Sequence, residues 1–308
     1  VGNDIPVLEF SDNPTEDPLW TTFMGHLVHT DYSHPVFFRH NMSNVNLFNM
    51  YNGETVYLLG RGPSIGKFLE NAKIRKMLLN PFIVKYGMNT SPEILDYNVN
   101  LWSCVDNVTK FPKQIMKNPN ILKLIPMNRF VTFDFDSRMK DNKKTIAYSE
   151  GSNHKFSCLC PNSIGVQTFL LSKENMKNIT FGKAFLNCPA VLYGFFKDHK
   201  SVLLYCIKIC LLLGFKRIVL MGVDFKMDKE VPYYQNTSAD FNEFHVQHNN
   251  RLYDALSPLI REIVDLLHKN KSQYRSSIVS ATKIEALPFI PTVNLEKLLT
   301  EEIERKTK

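Results

Sequence analysis

The 308-residue sequence is poor in the features that would assign a function at once. It has no G-K-[ST] P-loop, no complete G-x-G-x-x-G fingerprint, and no pair of C-x-x-C motifs at zinc-ligand spacing. Its six cysteines are scattered, with Cys158 and Cys160 too close together for the usual zinc pair and Cys206 and Cys210 one turn apart in an apolar stretch. Reduced thiols in a cytoplasmic protein are the expectation. No basic run is interleaved with aromatics, so nucleic-acid binding is compatible with the charge but supported by no segment. The most apolar stretch, "SVLLYCIKICLLLGF", is interrupted by Lys208 and too short to span a bilayer. No signal-peptide pattern opens the chain at Val1. We therefore expect a cytoplasmic protein, with peripheral contact at the inner membrane face compatible with its charge.

What the sequence does contain is an ordinary globular balance: 44% hydrophobic and 22% charged residues, with a net charge of +7. The basic surplus favours anionic partners such as a sugar nucleotide. Residues 1–54 show no clear period and read as an irregular N-terminal extension packed on a main domain. From Thr55, apolar runs alternate with helical patterns. "TVYLLG", "FIVKYGM", "LWSCVD", "RFVTFDF" (129–135), "KRIVLMGVDF" and "SIVSAT" read as strands. "SIGKFLENAKIRKMLL", "SVLLYCIKICLLLGF", "RLYDALSPLIREIVDLLHKN" and "NLEKLLTEEIERK" read as helices. This alternation predicts an α/β fold, a modified Rossmann-like (GT-A-like), mostly parallel sheet with helices on both faces. The main domain is expected over 55–300, with a helix end over 301–308. The polar stretch at about 226–250 is expected to be a long active-site lid loop.

Several residues could carry chemistry. Gly60-Arg61-Gly62-Pro63-Ser64 lies between a strand and a helix, where free backbone amides could cradle a phosphate; a structural strand–turn–helix explains the same pattern. Asp224 ends a strand, the edge at which open α/β sheets bind ligands, and could equally cap the next turn. Asp134 and Asp136 have the one-residue gap that places two carboxylates on one side of a strand, which suits a magnesium or manganese ion, although exposed strand faces often carry such a pair. His245 and His248 in the polar stretch are candidate general bases, with an H-x-x-H zinc pair as the alternative. Tyr233 and Tyr234 could donate to a departing phosphate, and Lys226 would place a cation beside it.

Taken in order, "LLGRGPSI", "VKYGMN", "SVLLYCIKICLLLGFKRIVLMGVDF" and "SIVSATKIEALPFIP" resemble one superfamily. It joins bacterial lipooligosaccharide sialyltransferases, flagellin-glycosylation accessory proteins and archaeal dihydropterin pyrophosphokinase-like proteins. The resemblance covers roughly residues 55–300, leaving Pro112 to Asp198 unmatched. It implies a nucleotide-sugar donor, no metal requirement and a loop histidine that deprotonates a hydroxyl acceptor. By the same resemblance, Gly60, Gly62, Pro63 and Ser64 would line the donor, with Asn89, Asp106 and Ser201 at further donor positions. His248 would be the base, with His245 in reserve. The chain differs in carrying Arg61 where the sialyltransferases have an asparagine, and Lys226 where they have a tyrosine. The acceptor could be a glycan, lipid, protein or modified base. The resemblance leaves two alternatives open: an ATP- and magnesium-dependent pyrophosphokinase using Asp134, Asp136 or Asp224, and a non-catalytic nucleotide- or nucleic-acid-binding protein. Oligomeric state is not assigned.

Overall fold

The first regular strand, "TVYLL" (β1, Thr55–Leu59), is buried along its whole length, as a strand covered by helices on both faces must be. Its side chains divide by parity. Val56 and Leu58 enter one core cluster; Tyr57 and Leu59 enter the other. The structure is a computed structural model that describes residues 8–9, 37–38, 45–105, 111–126, 145–146, 161–166, 169–170, 180–187, 191–193, 201–227, 233–234, 243–271 and 274–307.

After β1 come α1 (Ala72–Leu78), β2 (Val84–Met88), β3 (Leu101–Ser103), α2 (Lys113–Lys117), β4 (Leu122–Pro126) and β5 (Ser163–Val166). The chain continues through α3 (Phe181–Asn187), α4 (Val202–Leu212), β6 (Arg217–Met221), α5 (Glu243–Lys269), β7 (Ser277–Ser280) and α6 (Leu295–Thr307). The main sheet runs β7-β6-β1-β2-β3-β4-β5, parallel throughout, and Phe37–Phe38 adds an antiparallel edge on β5. One face is covered by α3, α4 and α5, the other by α1, α2 and α6. This is the Rossmann-like α/β fold that the alternating pattern predicts. No described helix is long and apolar enough to cross a membrane.

Two helix readings change, and one strand forms that the sequence reading did not include. The predicted strand over 129–135, with Asp134 and Asp136, lies outside the described residues. A strand does form at Leu122–Pro126, where Lys123 breaks the apolar run. That lysine is fully buried, and its ammonium donates to the carbonyls of Asn118 (2.6 Å), Ile121 (3.0 Å) and Pro161 (2.7 Å). The single helix expected after the glycine bend is broken in two, because the Asn71 side chain accepts from Lys73 N–H (3.0 Å) and Ile74 N–H (3.2 Å) and starts α1 afresh. And α5 begins at Glu243, eight residues before the predicted start at Arg251, so 243–250 is helix and not lid loop.

The last helix is tied to the first strand. Thr55 Oγ1 donates to Glu302 Oε1 (2.7 Å), and Arg305 donates to Glu302 Oε2 (2.9 Å) and Glu54 Oε2 (2.9 Å). Burial alone would raise the Glu302 carboxyl, but the hydrogen bonds from Thr55 and Arg305 and the charges of Arg305 and Lys306 outweigh it and hold the group below its ordinary value. A lowered folded-state pKa makes a contribution that is complete above the unfolded carboxylate value of 4.5 and fades as pH falls through the folded one. Urea melts below pH 4.5 should therefore show a stability loss that Glu302→Gln flattens. Parallel pH profiles for the two proteins would remove Glu302 as its source.

Candidate functional site

The chain leaves β1 towards β2 on one side, while β6, arriving later, pairs with β1 on the other. Such a reversal of strand order opens a crevice at the carboxyl ends of the strands, where open α/β sheets take ligands. A cavity of about 550 Å³ lies there. Its walls include Gly60, Arg61 and Gly62 after β1, Asn89 after β2, Ser201 before α4, Asp224 and Lys226 after β6, Tyr233, and Asn249, Leu252 and Tyr253 from α5.

The glycine bend is fastened to the neighbouring turn. Gly60 N–H donates to Met221 O (2.7 Å), Gly62 N–H to Gly222 O (2.7 Å) and Ser64 N–H to Asp224 Oδ2 (2.9 Å). A Cβ on Gly60 would lie 2.3 Å from Gly222 O, and one on Gly62 would lie 2.6 Å from Asp224 Oδ2. Both glycines are thus required by the close approach of the two strand-end loops. Of the two readings that the sequence left open, these bonds favour the structural strand–turn–helix: the Gly60, Gly62 and Ser64 amides bind groups of the protein itself, while Gly60 and Gly62 still line the cavity. Asp224 caps not the turn that follows it, as the alternative reading had it, but the Pro63–Ile65 turn 160 residues earlier. Pro63 opens the short helical turn Pro63–Ile65, and the Ser64 hydroxyl is buried without a partner among the described residues.

Asn89 makes the opposite offer. It sits in the left-handed region (φ 51°), which asparagine tolerates well. Its N–H donates to Ser103 O (3.0 Å) and its carbonyl accepts from Trp102 Nε1 (2.7 Å), but its side-chain Oδ1 is buried with no partner among the described residues. A buried acceptor in a cavity wall calls for a donor on the ligand. Ser201 stands at the N-cap of α4, largely buried, with no side-chain capping bond.

Lys226 is exposed at the cavity edge, and its backbone is set from both sides. Phe225 before it has φ 54°, a strained value for an aromatic residue. Met227 after it is gripped by Asn250, whose Oδ1 accepts from Met227 N–H (2.8 Å) and whose Nδ2 donates to Met227 O (3.1 Å). The Phe225 ring packs on Tyr253 at 5.1 Å. Burial raises the phenol pKa of Tyr253 and, against the opposing Arg61 charge, that of Tyr233, so both remain neutral hydrogen-bond donors.

The remaining expected residues fall differently. Tyr234 does not line the cavity; its ring lies over Gly66. His248 is exposed on α5 and is not among the lining residues, and His245 lies in the same helix one turn before Asn249. An imidazole on this element therefore rides on a helix rather than a loop. Asp106 lies outside the described residues, with Asp134 and Asp136. Among the described residues, no group of three or more His, Cys, Asp or Glu side chains could hold a metal ion. Glu93, Asn249, Asn250, Leu252 and Tyr253 were not expected at the site. A signal for Asn249, Asn250 and Tyr253 was present, since Val246, Asn249, Asn250, Tyr253, Leu256 and Ile260 keep helical three-four spacing back across the asparagines. Comparison with known family models and with curated proteins finds no match to this chain.

Proposed function

We propose that the switch-point cavity binds a nucleotide-linked sugar and that the protein transfers the sugar to a hydroxyl acceptor. The observation that carries this reading is the 550 Å³ cavity at the strand-order reversal, walled by polar and charged residues from several strand ends, Arg61, Asn89, Asp224 and Lys226. That volume suits a small ligand of nucleotide size. With the Gly60, Gly62 and Ser64 amides engaged within the protein, we assign the donor phosphate to the Lys226 ammonium and the Tyr233 phenol. In the transfer, the acceptor oxygen forms a bond to the anomeric carbon as the carbon–oxygen bond to phosphate breaks. The acceptor proton passes to the His248 imidazole, exposed on α5 next to the lining residue Asn249. The negative charge left on the phosphate is stabilised by Lys226 and Tyr233.

A thermal melt with CMP, UDP, GDP, ADP and their sugar conjugates tests this. One nucleotide should stabilise the fold, by about 2.7 kcal/mol at a hundredfold excess over its Kd. Stabilisation by none of them overturns the reading, and stabilisation by ATP only with magnesium or manganese points to pyrophosphokinase chemistry instead. Once a donor is known, His248→Ala should abolish turnover and leave binding intact. Full turnover would remove His248 as the base.

A further inference from the structure

Arg61 lines the cavity, but its side chain is only 11% exposed, and its fork faces protein acceptors. Nη1 donates to the Glu93 carboxylate (2.7 Å) and Nε to the Tyr234 carbonyl (3.2 Å). Its own backbone carbonyl accepts the Tyr234 N–H (2.8 Å). Tyr234 is thus held by both of its backbone groups to one residue of the bend, a pairing that a strand neighbour would normally supply. The Tyr234 ring completes the seat: a Cβ on Gly66 would lie 2.7 Å from its Cε2. The preceding residue, Tyr233, lines the cavity.

We infer that Arg61 is a positioning residue that acts through Tyr233, holding the 233–234 backbone so that the Tyr233 phenol stands in the cavity wall, rather than an anion ligand in its own right. A guanidinium whose fork is filled by a carboxylate and a carbonyl is already neutralised, and has little attraction left for a phosphate. Lys226, exposed at the edge, is the cation better placed for that task. The geometry also sets the residue type. The planar fork reaches Glu93 and the Tyr234 carbonyl together, whereas a lysine ammonium is a single point charge and does not reproduce that two-armed geometry. In its catalytic meaning the inference rests on the nucleotide reading above, so its test has one arm that needs no nucleotide.

In that arm, 3-fluorotyrosine is placed at position 233 alone and its fluorine resonance is followed in the wild type, Arg61→Lys and Glu93→Gln. The resonance should move towards the value of a solvated tyrosine in Arg61→Lys, and part of the way in Glu93→Gln, which keeps the Nε bond. An unmoved resonance in folded Arg61→Lys overturns the inference; should that variant not fold, Glu93→Gln decides by the same criterion. The second arm titrates whichever nucleotide stabilises the wild type. Arg61→Lys should bind about tenfold more weakly, the equivalent of one lost charge-assisted contact. On a Tyr233→Phe background the same change should cost less than about twofold, since residues acting through one another are not additive. Equal losses in both backgrounds would show that Arg61 meets the ligand directly and overturn the inference. Should no nucleotide bind, the functional reading fails while the fluorine arm still decides the clasp.

Discussion

Gly60→Ala is expected to destabilise the protein by about 3 kcal/mol, at the upper end of what overpacking costs. The added methyl would sit 2.3 Å from Gly222 O, 2.9 Å from Gly222 C and 3.2 Å from Val223 Cγ2. Two of those atoms are backbone, and they cannot step aside cheaply. Gly222 has φ +64°, and its carbonyl accepts from Gly62 N–H. Just before it, β6 is in register with β1 from Arg217↔Thr55 to Met221↔Leu59. Relief would require parting these two adjacent strands at their carboxyl ends, where the cavity lies. Gly53→Ala is the control. It has φ +80° but nothing within 4 Å of its Cβ, so it should cost only about 1 kcal/mol of backbone strain. Urea melts of the three proteins measure the difference. A Gly60→Ala protein as stable as the wild type would show that the two loops are not in contact, and the junction that positions Asp224 and Arg61 would go with it.

The same junction shows what a sequence can disclose. β1, β2, β6 and β7 were legible because a parallel strand covered on both faces is largely apolar over consecutive residues. The glycines of "GRGPS" were legible as a place of close approach, but not what approaches them. The partner lies at Gly222 and Asp224, and it becomes a neighbour only once β6 docks on β1. A phosphate and a protein carboxylate make the same demand on a bend, so pattern alone could not separate them. The start of α5 was hidden for a different reason. Asn249 and Asn250 are residues that favour turns, yet here Asn250 uses both ends of its amide on Met227, a tertiary contact that outweighs its weak helix propensity. The strand at Leu122–Pro126 was not read from the sequence at all; its Lys123 is buried because the carbonyls of Asn118, Ile121 and Pro161 take its ammonium.

Asp224 carries the other large effect, because one carboxylate serves both the fold and the cavity. Asp224→Ala removes the acceptor of the Ser64 N–H at the start of the Pro63–Ile65 turn, where the N-cap residue is Gly62 and has no side chain to substitute. Loss of such a cap should cost about 1–2 kcal/mol. Asp224→Asn keeps the shape and a neutral acceptor, so most of that stability should return. Binding should divide the two variants otherwise. If the carboxylate in the cavity wall accepts a hydroxyl of the nucleotide-linked sugar, its charge makes that bond roughly twice as strong as a neutral one. The stable Asp224→Asn protein should then bind the stabilising nucleotide several-fold more weakly, and Asp224→Ala no better. Calorimetric titration of both variants separates this from its opposite. Tighter binding by Asp224→Asn would mean that the carboxylate only repels the donor's phosphate, leaving it a strut between β1 and β6 and returning the anchoring of the sugar to Asn89 and Ser201.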